Sequence, residues 1–292
     1  MIEEGAGAFE ELAMGYGFVE APRGAPDGSQ WFADLAGATV YRRDAGGGVQ
    51  AMLTGRDWVG GIVHDVSGQV LCSGRGGIVA LDPATGATRT VLAEIEGEPI
   101  IAVNDMEGDG RGGIYAGTID FVSIMETGQA PAPGRFFHMD AQGTVTVLRR
   151  DVHASNGIGL SPCGRWLYHS DTSRGIWRHA LEAGQAGQPE LFIPLGDSDG
   201  LVVDREGGLW VACWESGRLL RFDADGTQTH CLTSRYPHIV SLGFEPGDLS
   251  SLLVSTGGNE TVTGAGGVLR LKVAVPGMRE HPSALAMLQR SS

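Results

Sequence analysis

The sequence lacks the features of a membrane or secreted protein. No stretch approaches 18 consecutive apolar residues, so no transmembrane helix is expected. Residues 1–5 have neither the basic region nor the apolar core of a signal peptide. Cysteines are few and none has CxxC spacing, which predicts reduced, mostly buried thiols at Cys72, Cys163, Cys213 and Cys231. We therefore expect a cytoplasmic protein with no membrane partner.

Basic residues are also scarce. The chain has 21 Lys and Arg against 35 Asp and Glu, a net charge of −14. Such a surface repels phosphate, so nucleic acids and anionic membranes are not expected as partners. The sequence contains no Gly-x-Ser-x-Gly elbow and no P-loop, and neither a serine hydrolase nor an NTPase is supported.

Helical periodicity is nearly absent, and glycine is abundant. The only helix candidate is residues 7–15, whereas 47 of the 292 residues are Gly, more than twice the average of about 7%. The glycines separate short apolar runs that are typical of β-strands, such as residues 69–73, 113–117, 166–170 and 208–212. The chain is therefore predicted to be nearly all β.

These strand-like runs recur in register. Starting from Gly60, Asn104, Asn156 or Asp199, an Asp or Ser follows five residues later and a Gly eight residues later, while Glu20 matches only at its Gly. The five starts are 40, 44, 52 and 43 residues apart, and a looser sixth unit covers about residues 239–272. This period predicts a six-bladed β-propeller. We expect one domain over residues 1–292, with a short lead at 1–14 and a tail from about 277.

The start positions should ring one mouth of the central channel. Glu20, Asn104, Asn156 and Asp199 carry side-chain oxygens, whereas Gly60 carries none. Each could be an ordinary turn residue that caps nearby amides. Their occurrence in one register instead favours a hard divalent cation, which prefers oxygen ligands. No His or Cys occurs at these positions, so a zinc site built from imidazole or thiolate is not favoured.

Over about residues 15–275 the sequence resembles the SMP-30/gluconolactonase/LRE family, which includes regucalcin and bacterial sugar lactonases. The resemblance is carried by ordered motifs: Val19-Glu20-Ala21-Pro22-Arg23 with Trp31-Phe32-Ala33-Asp34, Val103-Asn104-Asp105 with Tyr115-Ala116-Gly117-Thr118, Ser155-Asn156-Gly157 with residues 161–168, and Ser198-Asp199-Gly200-Leu201 with residues 208–212. Together these motifs are specific, although each alone is weak.

The resemblance implies a six-bladed propeller that binds one divalent metal and hydrolyses lactones. It implies Glu20, Asn156 and Asp199 as the metal ligands, and Asn104 as a substrate contact or a ligand through water. Asp199 is also the family's usual candidate for general base. The metal would hold Asp199 ionised and make it a weak base, so the base stays open. The metal also stays open among Ca, Zn, Mn, Mg and Fe, because oxygen ligands suit several ions.

Two departures from the family pattern concern the substrate. Sugar lactonases typically have an Arg two residues before the Asn of the Asn-Asp motif, but this chain has Ala102. The segment 119–126 is more apolar than a polyol site requires, since buried hydroxyls need hydrogen-bond partners. We expect Phe121 and Met125 to contact a substrate less polar than a sugar lactone. The alternative is that they only pack under their own loop.

Other residues have two interpretations each. Trp58 and Trp214 could line the pocket or pack between blades, and His64, His153 and His169 are expected to be structural or solvated. Of these histidines, His153 lies three residues before Asn156, from where it could reach the mouth.

The sequence predicts a metal-dependent hydrolase that opens a lactone or cleaves an ester of a small molecule, as a monomer or small homo-oligomer. An isomerase or lyase that uses the same metal is an alternative, because fold does not fix function. A non-catalytic propeller that binds a metal or a partner is a third.

Overall fold

The repeat of the sequence folds into a strand, a tight turn and a second strand. The glycines eight residues after the starts, Gly28, Gly68, Gly112, Gly164 and Gly207, all have positive φ, between 66° and 92°. Glycine adopts this left-handed backbone without a steric penalty. In three turns the Asp at the fifth position accepts backbone N–H groups of the turn: Asp65, Asp109 and Asp204. The turn predicted for each unit is confirmed.

The computed structural model describes residues 2–4, 9–259 and 262–288. In these residues the main strands form six sheets with four antiparallel strands each, to which a few short strands are added. The first three sheets contain Val19–Gly24, Gln30–Asp34, Thr39–Arg43 and Val49–Thr54; Ile62–His64, Val70–Cys72, Ile78–Leu81 and Thr88–Leu92; and Ala102–Gly108, Ile114–Ile119, Gly134–Met139 and Val145–Val152. The last three contain Ser155–Leu160, Trp166–Asp171, Gly175–Glu182 and Gln185–Ile193; Ser198–Val203, Leu209–Cys213, Arg218–Phe222 and Gln228–Thr233; and His238–Glu245, Asp248–Gly257, Gly266–Lys272 and Glu10–Tyr16.

A few short elements complete the described chain. Gly74–Arg75 pairs beside Ala102–Gly108, and Glu94–Ile95 forms a small hairpin with Glu98–Pro99. A π-helical turn covers Val122–Thr127, and a 3₁₀ turn covers Leu285–Met287. No helix in these ranges is long and apolar enough to cross a membrane.

The first strands of the six sheets form the inner ring. Each contacts the first strand of the next sheet, and His238–Glu245 of the sixth sheet contacts Val19–Gly24 of the first. Six four-stranded sheets closed in this way are a six-bladed β-propeller. The predicted fold is confirmed.

The sixth sheet closes the ring with a strand from the start of the chain. Glu10–Tyr16 runs antiparallel to Gly266–Lys272, and Ile2–Glu4 pairs parallel with Gln228–Thr233. The helix candidate at residues 7–15 is therefore wrong: residue 9 is not helical, residues 10–15 belong to a strand, and residues 7 and 8 lie outside the described residues. Strand pairing with a distant part of the chain satisfies this backbone and overrides a weak local preference.

The C-terminal segment crosses the other end of the ring. Ser283 makes bridges to Asp65 and Gly112, and Gly277 makes one to Asp204. These partners lie in turns that follow the first strands of the second, third and fifth sheets. The segment thus covers the face opposite the starts of the inner strands.

The apolar core lies between neighbouring sheets. Leu71 and Ile78 of the second sheet pack with Val103, Ile114 and Phe137 of the third, and none has accessible surface. Burying one such side chain stabilises the fold by about 1.5–3 kcal/mol. All four cysteines are free thiols, as predicted, but only Cys72 and Cys213 are buried, whereas Cys231 is half-buried and Cys163 is exposed.

Candidate functional site

The four predicted oxygen-bearing residues lie together at one end of the inner ring. Glu20, Asn104, Asn156 and Asp199 come from the first strands of four different sheets and line one cavity of about 820 Å³. Phe121 and Met125 line the same cavity. The structure therefore brings together every site residue that the sequence predicted.

A β-bulge occurs at this position in five of the six sheets. The pairing between first and second strands shifts between Glu20 and Arg23, and the equivalent shifts follow Val103, Ser155, Ser198 and Ile239. Bulges bend a strand and re-aim its side chains. Beside Glu20, buried Ala21 has a φ of +40°, a left-handed conformation that a residue with a Cβ adopts only under strain. The bulge is thus the local device that presents these side chains.

Two carboxylates of the site are buried with like charge nearby. Glu20 is 8% exposed and Asp199 is 5% exposed. Burial, the charge of Asp199 and the charge of Asp105 raise the pKa of Glu20 well above its usual value, although Arg23 opposes this. Burial and the charge of Asp105 likewise raise the pKa of Asp199. Without a cation, the site favours protonated carboxyls.

The hydrogen bonds around Asn104 and Asn156 fix both amide orientations. Asn104 Nδ2 lies 2.8 Å from the Ser155 carbonyl oxygen, which can only accept, so this atom is the donor. Its second N–H is donated to Asn156 Oδ1 at 2.7 Å. Asn156 Nδ2 in turn donates to Thr172 Oγ1, whose hydroxyl donates to the Ser198 carbonyl oxygen. Both N–H groups of Asn104, one N–H of Asn156 and the Thr172 hydroxyl are used in this chain.

One acceptor in the site is left without a partner. Asn104 Oδ1 is buried and forms no hydrogen bond within the described residues. A Cβ on Gly60 would lie 2.5 Å from this oxygen. The lack of a side chain at this start position therefore leaves room for the Asn104 oxygen. A buried acceptor without a donor is costly and indicates a missing ligand or water.

This donor set fits a hard divalent cation. It offers two carboxylates, the remaining lone pair of Asn156 Oδ1 and the unpartnered Asn104 Oδ1. Such oxygen donors suit Ca²⁺, Mg²⁺ or Mn²⁺. No three His, Cys, Asp or Glu side chains converge as a metal-binding group anywhere in the described ranges. The site therefore depends on its amides as well as its carboxylates.

The rest of the cavity wall is largely apolar. Ala102 has no accessible surface and packs in a cluster with Leu35, Trp58, Ile119 and Phe121. Three members of that cluster line the cavity. No Lys or Arg lines it within the part of the chain that the structure describes. Ala102 thus contributes a buried methyl group to this apolar cluster, at the position where the family resemblance expects an Arg.

The segment after the second strand of the third sheet forms one side of the mouth. Asp120 ties both of its ends, accepting from Ser123 N and Oγ and from Ala132 N at 2.7–3.1 Å. Phe121 is buried against Trp58 and also faces the cavity, whereas Met125 is 54% exposed at the rim. Phe121 thus both lines the cavity and packs under its own loop, whereas Met125 lines the cavity rim and does not pack under the loop.

The remaining aromatic and histidine candidates divide by position. Trp214 lines the cavity and stacks on His238, whereas Trp58 packs behind Phe121 and under the Arg75 guanidinium. Of the three candidate histidines only His153 reaches the cavity. His64 and His169 are absent from its lining, and His169 is fully buried beside Ser155.

Sequence reasoning missed several lining residues. Phe18 and Thr172 lie at strand ends, and Gly258, Asn259, Thr263 and Gly264 come from the connection before Gly266–Lys272. The only sequence signal for Thr172 was its position directly after Asp171, at the end of the second strand of the fourth sheet. The other positions have no sequence signal, because they reach the cavity only when the sixth sheet closes the ring.

The fold and this cavity define a six-bladed propeller with buried carboxylates and amides at one mouth of its channel. Residues 18–258 match the family described as SMP-30/Gluconolactonase/LRE-like region. The chain belongs to this family.

Individual relatives are consistent with that assignment. The chain is 31% identical to pentonolactonase XacC of Haloferax volcanii, over 62% of this chain and 65%, less than two thirds, of the relative. It is 31% identical to a 6-deoxy-6-sulfogluconolactonase of Pseudomonas putida, over 77% of this chain and 78% of the relative. A solved calcium-binding protein, regucalcin from Agrobacterium tumefaciens, superposes with a TM-score of 0.84 over 97% of this chain and 99% of that one, at 24% identity. This last likeness supports the fold alone.

Proposed function

We propose that the chain hydrolyses lactones or related esters with the help of one divalent cation in this cavity. The observation that carries the proposal is the pair of buried carboxylates beside an unpartnered amide oxygen, in a cavity with no lining Lys or Arg within the described ranges. A cation would offset the burial and the like-charge repulsion that raise both carboxyl pKa values. Family membership and relatives named as lactonases support the reaction class.

Glu20, Asn156 and Asp199 would hold the cation. When bound, it would supply Lewis acidity to polarise the ester carbonyl and acidify a water. Asp199, as a carboxylate, would accept a proton from an attacking water within hydrogen-bond reach. Asn104 has both N–H groups engaged, so toward a substrate it can only accept, from a hydroxyl or a water.

The substrate that fits this cavity is less polar than a sugar lactone. Phe121, Ile119 and Leu35 form an apolar wall, and Met125 and Trp214 continue it to the rim. The 6-deoxy-6-sulfogluconolactonase relative acts on a lactone whose name indicates a sulfonate. No described Lys or Arg is available here to pair with such an anion. An alkyl or aromatic lactone or ester matches the wall better.

Hydrolysis of a panel of lactones and esters tests the proposal. The purified chain is stripped with chelator, reloaded with Ca²⁺, Mn²⁺, Mg²⁺, Zn²⁺ or Fe²⁺, and assayed on gluconolactone, an alkyl lactone, an aromatic lactone and an aryl ester. We expect turnover that requires metal and is fastest on the less polar substrates. Gluconolactone turnover well above that of the aromatic lactone would refute the substrate assignment.

Matched carboxyl variants test the site. Asp199→Asn and Glu20→Gln are expected to lower kcat/KM by at least about 100-fold, as loss of an electrostatic group at a reacting centre does. Glu107→Gln is the control, because Glu107 is half-buried near Arg23 but does not line the cavity. Activity that survives in both site variants without metal would refute the mechanism. No turnover on any substrate with any metal would favour an isomerase, a lyase or a binding protein.

A further inference from the structure

A second recess opens on the face opposite the candidate site. It has a volume of about 650 Å³ and is bounded by turns 109–111 and 161–164, by Arg205 and by the C-terminal segment 278–281. These turns follow the first strands of the third, fourth and fifth sheets. The recess therefore shares no lining residue with the candidate site.

Three arginines line this recess, and none of them is neutralised by a carboxylate among the described residues. Arg279 forms no hydrogen bond or ion pair in that part of the chain, and Arg205 uses only Nε, on the Gly277 carbonyl oxygen. Arg111 bonds to the carbonyl oxygens of Ala183 and Gly184. Several guanidinium N–H groups are thus free to bind an anion.

The acidic group in the recess is already occupied. Asp109 Oδ1 accepts the backbone N–H groups of Arg111 and Gly113, and Oδ2 lies 2.8 Å from His138 Nε2. Its engagement in the turn leaves the three guanidinium groups without an internal counter-ion. We call this group of Arg111, Arg205 and Arg279 the cationic recess.

The cationic recess stands out from the rest of the molecule. The chain has a net charge of −14. Eleven of the other 16 described arginines form ion pairs with carboxylates. The remaining five also have no ion pair, but none of them lines this recess or the candidate site. What sets the recess apart is that three exposed, unpaired arginines are grouped around one concavity.

We propose that the cationic recess binds the oxyanion group, phosphate or carboxylate, of a small metabolite. The guanidinium fork matches the geometry of both groups. Leu160, Leu181, Leu249 and Met278 provide an apolar wall for the body of the ligand. The volume falls within the range of about 300–1,000 Å³ of small-molecule sites. The acidity of the whole chain opposes a nucleic acid, whose many phosphates would meet that field.

Calorimetric titration of the full chain at constant ionic strength tests this proposal. The probes are inorganic phosphate, AMP and succinate, with adenosine as the uncharged control. We expect at least one anion to bind, AMP to bind more tightly than adenosine, and affinity to fall as salt rises. Binding of phosphate and AMP identifies a phosphate ligand, and binding of succinate identifies a dicarboxylate.

Two variants and one control assign the binding to this recess. The double variant R205A/R279A is expected to weaken anion binding by at least about tenfold. R279A alone removes a side chain with no described contact, so it keeps the test valid if the double variant is unstable. R218A is the charge-matched control, because Arg218 Nε bonds only to Ser216 Oγ and the residue lies outside both cavities. R218A should stay within about twofold of the parent.

Three results would overturn the proposal. They are no binding of any anion up to about 10 mM, AMP binding no more tightly than adenosine while phosphate and succinate do not bind, or unchanged anion affinity in R205A/R279A or, should that fail to fold, in R279A. None of these outcomes depends on catalytic activity, so the proposal stands or falls independently of the proposed function.

Discussion

Replacing Asp199 with Asn removes one of two carboxylates that the fold buries, and its stabilising effect should shrink or disappear when metal is added. In the chelated protein, Asp199 and Glu20 both have raised pKa values, caused first by burial. At pH 8 their ionisation opposes folding. We therefore expect Asp199→Asn to stabilise the metal-free protein at this pH.

The size of the effect follows from general magnitudes. An uncompensated buried polar or charged group costs about 1–3 kcal/mol. Unfolding entropy of about 2.1 cal/mol/K per residue, taken over 292 residues, converts this to a midpoint about 2–5 °C higher for the variant. A ligand at 100 times its Kd stabilises the parent by about 2.7 kcal/mol, or roughly 4 °C. The variant should gain less than about 1 °C from the same metal, because it has lost a ligand.

Thermal unfolding at pH 8, with chelator and then with saturating Ca²⁺ or Mn²⁺, measures both the effect of the substitution and the effect of the metal on the unfolding midpoint. Asp65→Asn is the control, because Asp65 is a buried carboxylate whose pKa is lowered, whereas that of Asp199 is raised. Burial opposes its ionisation, but hydrogen bonds from Ser283, Ala286 and Ser67 outweigh burial and lower its pKa. Asp65→Asn should therefore destabilise the protein, with the metal response unchanged. If Asp199→Asn also destabilises the chelated protein and still responds to metal, the reasoning is wrong.

Three further predictions concern pH, the mouth segment and the channel. Burial raises the pKa of Glu107 to about 7 and that of Glu280 to about 8. Their contribution to stability is complete below about pH 4.5 and is lost as pH rises through 7 and 8, so the unfolding midpoint of the chelated protein should fall over this range. Asp120→Ala should raise KM for less polar lactones severalfold with a loss of only about 1 kcal/mol of stability, because it frees the mouth segment, as steady-state kinetics and denaturant unfolding would show. Gly60→Ala should lower kcat/KM at least about tenfold, because its Cβ would lie 2.5 Å from Asn104 Oδ1.

Each of these has a result that would contradict it. A midpoint that rises from pH 6 to pH 8.5 would invert the sign assigned to the two glutamates. An unchanged KM in Asp120→Ala would separate the mouth segment from the substrate. Gly196→Ala is the control for Gly60→Ala, since a Cβ there meets nothing within 4 Å. Equal activity in the two glycine variants would show that the Asn104 acceptor does not matter.

The sequence was sufficient where structure is set by local turn chemistry. The Gly at the eighth position and the Asp at the fifth define a turn within one hairpin, so the six units and the ring position of Glu20, Asn104, Asn156 and Asp199 could be predicted from spacing alone. The same repeat explains why residues far apart in the chain share one cavity.

The features that the sequence analysis got wrong or missed depend on pairing between distant parts of the chain. Glu10–Tyr16 is a strand because Gly266–Lys272 offers it an edge, and no local pattern records that partner. The bulges beside the site residues arise from register between strands. The lining residues of 258–264 reach the cavity only because the ring closes. Composition and spacing contain none of this information.

The geometry of the candidate site is most simply understood as an arrangement that is incomplete in the protein alone. The backbone carbonyls of Ser155 and Ser198 terminate a one-way chain of hydrogen bonds, and that chain fixes which atoms of Asn104 and Asn156 are acceptors. Those acceptors and two carboxylates converge on one cavity that no described Lys or Arg lines. An inert turn residue would satisfy its own backbone, as Asp65 does at the fifth position of its unit. Side chains that are instead oriented by the backbone and left without donors require an external cation or substrate to complete them, and this requirement favours a binding site over a structural role.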